Sequence, residues 1–157
     1  MPYEEAVLSP LLVRYPPYVK AQSKIGSIVS SVDIAPTLLE LAGAPIGSHI
    51  QGLSFLGLLK GEKSGGRTSA YIEYHGDEVF EWADDADYRA IRTDRHKYIH
   101  WVQHPEFDEL YDLIADPFEE TNLIGRPEHG GTLTDLRSRL GKQVLYALGL
   151  DASAGER

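Results

Sequence analysis

His96, His100 and His104 recur at intervals of four, a spacing that on a helix would align three imidazoles along one face and suit a metal ion. The residues around them, HKYIHWV, alternate as a strand does, and Pro105 follows His104 directly. They are therefore not expected on one helical face, and are read as ordinary polar or sheet-face histidines. Glu4 and Glu5 are a candidate pair for acid-base work, but no nucleophile, base or second ligand cluster stands near them in the chain. Asp84, Asp85 and Asp87 lie in WADDADY without the glycine-centred loop of a calcium site, so a solvated turn is expected. His75 ends the stretch TSAYIEYH and opens a loop of Gly76, Asp77 and Glu78, a location common among residues that line clefts. There is no glycine-rich phosphate loop, no serine in an elbow motif and no HExxH. Zero cysteines exclude a thiol nucleophile, a disulfide framework and thiolate-held metals. These residues do not amount to a complete active site.

The densest run of acids, in ELYDLIADPFEETNLIGRP from Glu109 to Pro127, reads as architecture. Leu110 and Leu113 flank Tyr111, and Asp116-Pro117 starts a turn, because aspartate bonds backbone N–H groups ahead of it and proline presets the next dihedral angle. Glu119 and Glu120 are then expected to face water, with Asn122 bonding locally.

The elements that would position these groups follow from periodicity. Leu11 to Tyr15, closed by two prolines, reads as a short strand. In SSVDIAPTLLELAG, Asp33 is placed to cap a helix, Pro36 falls in its first turn and Gly43 supplies its exit, with Ile34, Leu38 and Leu41 as an apolar stripe. Leu53 to Leu59 holds a helical turn or two, before the linker KGEKSGG. From Arg67 the period changes to two. TSAYIEYH, YRAIRTD and HKYIHWV give three strands, the last two joined by a tight turn at Thr93 to Arg95, and ELYDL adds a short edge strand. TLTD fits a capping box from Thr132, followed by Leu133, Leu136, Leu140 and Val144 at helical spacing. Ser153 to Arg157 is a polar tail.

With 157 residues, 42% of them apolar, the chain suits one compact unit that buries roughly 70% of its extended surface. Its net charge of -9 and scattered basic residues argue against nucleic acid or an anionic bilayer as a partner. No apolar run approaches the roughly 20 residues of a membrane span, and the start MPYEEAVLSP has neither the basic region nor the apolar run of a signal peptide. The chain reads as soluble. The strand and helix before Gly43 find no partner within it, since a lone strand leaves both edges unpaired, so the opening residues look like the last pieces of a larger α/β sheet.

Five motifs in order, YEEAVLSPLLVRYP, SSVDIAPTLLELAG, QGLSFLGLLKG, YRAIRTDRHKYIHW and ELYDLIADPFEETNL, resemble the C-terminal part of type I sulfatases, the formylglycine-dependent members of the alkaline phosphatase superfamily. The resemblance implies an α/β (α+β) fold. Residues 1–66 would carry the last strand and helices of a larger sulfatase α/β domain, 67–150 a C-terminal subdomain of antiparallel sheet plus helix, and 151–157 a tail. It implies hydrolysis of sulfate esters by a formylglycine, with a divalent cation, usually calcium, both expected in the full-length parent and not in this chain, which lacks the C/S-x-P-x-R motif and the metal aspartates. A sulfate-contacting lysine tends to precede the first motif, which makes Met1 look internal to a longer protein. Leu8 stands where many relatives have arginine. His75 and Glu78 are carried over as substrate-rim residues, and no residue as catalytic. The implied partner is the missing N-terminal sulfatase portion, or a second copy through exposed apolar surface. Two other roles stay open: a stand-alone binding or oligomerisation module, and one half of a split sulfatase.

Overall fold

The structure, a computed structural model, describes residues 1–62, 66–76 and 85–150. They fall into two units, one formed by Met1–Ser9 together with the described residues from Tyr71 onward, the other by Pro10–Ala70.

The first unit is built on an antiparallel sheet. Strands β1 (Ser69–Tyr74), β2 (Tyr88–Thr93), β3 (His96–Trp101) and β4 (Glu109–Asp112) lie in the order β1-β2-β3-β4. β2 and β3 form the expected hairpin, with Arg92 opposite Lys97 and Ala90 opposite Ile99. β4 takes the expected edge, with Tyr111 opposite Lys97. Because side chains alternate across a strand, the sheet acquires two apolar faces. Ile91, Tyr98 and Leu110 point to one, where helix α4 (Gly130–Ala147) covers them with Leu136 and Leu140, and Leu133 and Val144 pack at the margin as their spacing predicts. Tyr88, Ala90, Ile99 and Tyr111 point to the other, where Tyr3 packs beside them. Tyr3 leads into a single helical turn, α1 (Glu4–Val7).

α4 departs from expectation at its start. It begins at Gly130 behind a 3-10 turn over Pro127–His129, and no side chain caps it, so the Thr132 box does not form. The preceding turn already directs the chain into the helix.

In Pro10–Ala70, a 3-10 turn (Ser31–Asp33) runs into α2 (Ile34–Leu41), and α3 (Leu56–Leu59) supplies a small core in which Leu56, Leu58 and Leu59 pack with Phe55, Val19, Val29 and Leu41. Asp33 does not cap α2 with its side chain. Its buried carboxylate turns back to accept from the Ser30 N–H (2.9 Å), the Leu53 N–H (2.7 Å) and the Arg67 guanidinium (2.7 and 2.5 Å), tying three loops together. Burial opposes its charge, yet those donors prevail and hold its carboxyl below the usual aspartate range. Gly52 belongs to the same knot, since a Cβ there would stand 1.9 Å from the Val32 carbonyl oxygen.

Two expectations fail in this unit. Leu11 to Tyr15 is not a strand, because no described segment offers a ladder partner for its N–H and C=O groups. The α2 stripe also does not face inward as a whole. Pro36 and Thr37 are the buried residues of that helix, Leu41 reaches the α3 core, and Leu38 is 61% exposed. Leu12 is 95% exposed, and Leu11, Val13, Ile25, Val32 and Ile34 are exposed as well.

Candidate functional site

Lys97 is the residue whose environment departs furthest from ordinary. Its side chain is 0% exposed, and its ammonium lies 2.7 Å from Glu119 Oε1 and 2.9 Å from Glu4 Oε1 while donating to the Pro2 carbonyl (3.0 Å). The second carboxylate oxygen of Glu119 accepts the Glu4 backbone N–H at 2.6 Å. Arg92, across the ladder from Lys97, donates to Glu4 Oε2 at 3.2 Å. Two cations and two anions thus meet under α1. Burial works against ionisation of Glu4, but Lys97 and then Arg92 outweigh it and hold the carboxyl below its usual range. A buried amine met by two carboxylates and a carbonyl is an anchoring contact.

Glu119 was expected to face water and does not. Its backbone takes φ +55°, a left-handed conformation unusual for glutamate, which turns the side chain under the sheet to Lys97. Glu120 is exposed, as anticipated. The rest of the acidic run is architecture. Asp112 accepts from Arg95 (2.8 and 3.0 Å) and from the N–H groups of Ile114 and Ala115, Asp116 accepts from the Thr121 N–H, and Asn122 accepts from the N–H groups of Leu110 and Ile124. Arg95 and those backbone donors bring Asp112 down to about 2.

Each histidine of the spaced triplet finds its own carboxylate. His96 lies 3.9 Å from Asp112, His100 3.0 Å from Asp108 and His104 3.2 Å from Glu106. Asp108 also accepts from the Tyr98 hydroxyl and the Trp101 N–H, and Arg137 donates to the Tyr98 oxygen. Burial, and then Asp108, push the Tyr98 phenol up to about 12, so it stays protonated as a structural donor.

His75 directly follows β1, its side chain 63% exposed, 3.7 Å from Glu73 and 3.7 Å from Asp87. Asp87 in turn accepts the Gly76 N–H, which lowers its carboxyl. Asp85 is exposed, whereas Glu78 and Asp84 lie outside the described residues. Among the described residues, no three histidine, aspartate or glutamate side chains gather to hold a metal. Nor is any described helix long and apolar enough to cross a membrane.

The Lys97 cluster had a signal that the sequence reading passed over. Once YRAIRTDRHKYIHW is folded about its tight turn, Arg92 falls opposite Lys97 on the strand face that carries Ala90 and Ile99. Two cations on a buried face require acids to meet them.

Comparison with known proteins places this arrangement. Residues 1–145 match the family model described as N-sulphoglucosamine sulphohydrolase, C-terminal. The chain is 36% identical over 141 residues to N-acetylglucosamine-6-O-sulfatase of Bacteroides thetaiotaomicron, covering 88% of this chain and 25% of the relative. It is 39% identical over 131 residues to Arylsulfatase K of Gallus gallus, covering 77% of this chain and 23% of the relative. BT4656, solved in complex with its substrate D-glucosamine-2-N,6-O-disulfate, superimposes with a TM-score of 0.69 at 33% identity over 83% of this chain and 26% of its own. The chain spans about a quarter of the length of the curated relatives it matches. With nearly its whole length under one family model, and with the sheet-and-helix unit that its motifs predicted, the chain belongs to the C-terminal family of the sulfatases.

Proposed function

We propose that this chain is the C-terminal part of an enzyme that hydrolyses a sulfate ester carried on a sugar. It completes the fold and part of the cleft rim, and leaves the chemistry to the rest of the protein. The observation that carries the reading is the match of residues 1–145 to a sulfatase C-terminal family, in a chain that spans about a quarter of its relatives' length. The formylglycine nucleophile and the calcium expected of such enzymes then belong to the larger portion. The exposed apolar residues of Pro10–Ala70, Leu12 and Leu38 above all, are the surface on which that portion would pack, and residues 1–66 are its closing elements. His75, held between Glu73 and Asp87, and Glu78 are proposed as rim residues that meet the sugar. Sugar sulfates are the favoured substrate class because the relatives named above include an N-acetylglucosamine-6-O-sulfatase.

The test is turnover of N-acetylglucosamine 6-sulfate with calcium present. The purified 157-residue chain is expected to release no sulfate above buffer, and the protein at its full natural length to release it steadily. Turnover by the short chain alone would overturn the division of labour.

A further inference from the structure

Met1–Ser9 groups with the sheet unit although all of Pro10–Ala70 intervenes before the chain returns at Tyr71. What holds it there is more than cover. Lys97 reaches the Pro2 carbonyl and the Glu4 carboxylate, Glu119 bridges Lys97 to the Glu4 N–H, Arg92 takes the other Glu4 oxygen, and the Tyr88 hydroxyl donates to the Met1 carbonyl at 3.3 Å. Apolar side chains would cover that face as well, as Ala90 and Ile99 do beside Lys97, and a buried ion pair is commonly no more stabilising than an apolar replacement. What charges add is a single admissible placement, because each must meet its own counter-charge. Glu119 accepts an unfavourable backbone angle to take part, and local strain of that kind persists only where the surroundings over-determine it.

We infer that Lys97 is a positioning residue. With Glu119 it latches Met1–Val7 to β3, and so fixes where the polypeptide bearing the rest of the sulfatase joins the sheet unit. The inference rests on the sulfatase reading above. Through this latch, the placement of the sheet unit and that of the larger portion are set together.

The test compares wild-type protein at its full natural length with Lys97→Met, Glu119→Gln and the milder Arg92→Gln. Hydrogen exchange is read on the peptide covering Met1–Val7 and on the β2-β3 hairpin, with kcat and KM on N-acetylglucosamine 6-sulfate. In the first two variants, Met1–Val7 is expected to exchange at least tenfold faster while Tyr88–Trp101 is unchanged, and kcat to fall at least fivefold with KM within twofold. Arg92→Gln should give the same pattern at a twofold to fivefold effect, and it carries the comparison should Lys97→Met fail to fold. Unchanged exchange at Met1–Val7 would refute the latch. Faster exchange with unchanged kcat would leave the anchoring as architecture and overturn the positioning role. If wild-type protein turns over no sugar sulfate, the sulfatase reading falls by itself, and the exchange comparison alone decides the latch.

Discussion

Arg92 and Lys97 stand directly opposite each other on neighbouring strands, an arrangement that destabilises a sheet unless something answers the charge. Glu4 and Glu119 answer it from positions far apart in the chain. The ionisation of Glu4 therefore bears on stability, as does that of Asp33 beside Arg67 and Asp112 beside Arg95. The carboxyls of Glu4, Asp33 and Asp112 are each lowered on folding, Asp112 to about 2. A carboxyl lowered on folding contributes its stability above its unfolded value, roughly 4, and loses it as the pH falls through the folded value. The urea midpoint followed by tryptophan fluorescence is thus expected to fall steeply between about pH 4 and 2, with Asp112→Asn removing part of that fall, below a shallower decline from about pH 6.5 that comes from His96, whose imidazole burial lowers. A midpoint that does not fall between about pH 4 and 2 would contradict this assignment. Little of this was legible from residues alone. Asp116, Asn122 and Glu120 behave as turn chemistry requires, but the place of Glu119 depends on a backbone angle that glutamate rarely adopts, and no local pattern announces it.

Elements stabilised by their own neighbours in sequence were the readable ones. The β2-β3 hairpin needs only an alternation and a tight turn, and α4 needs only its leucine spacing. Elements whose partners lie elsewhere were not. Leu11 to Tyr15 has strand composition but no ladder, and α2 has an apolar stripe that its own unit uses only at Leu41. Asp33 looked like a helix cap because a cap is the nearest use for an aspartate before a helix, whereas the Arg67 guanidinium and the Leu53 N–H make a better-satisfied site for it. The knot around Asp33 makes a direct prediction at Gly52, where a β-carbon would overlap the Val32 carbonyl. Gly52→Ala is expected to lower stability by about 1–3 kcal/mol in urea unfolding, the usual range for overpacking. Gly26, whose β-carbon would meet nothing, serves as the control, and Gly26→Ala should change little.

At the scale of the molecule, apolar residues in Pro10–Ala70 lie open where a stable soluble surface would carry polar ones. Apolar surface of this kind in contiguous patches marks an interaction site. The 157-residue chain by itself is expected to associate at micromolar concentration in sedimentation velocity, and Leu12→Lys combined with Leu38→Glu to shift it toward monomer without lowering its urea midpoint. A wild-type chain that stays monomeric at those concentrations would remove the apolar face as a source of association.

The contact between Pro2 and Lys97 closes across 95 residues, and that between Glu4 and Glu119 across 115. Polypeptide emerges from a ribosome at about 5–20 residues per second, so the first strap of the sheet waits on the order of 5–20 s for its anchor to be made. Throughout that interval Met1–Ser9 has none of the partners that later bury it, and Pro10–Ala70 has the time and the local contacts to organise first. The order of synthesis and the order of assembly therefore run in opposite directions for this unit. Its earliest residues are among the last to find their place, because the Lys97 quartet cannot close before Glu119 has been made.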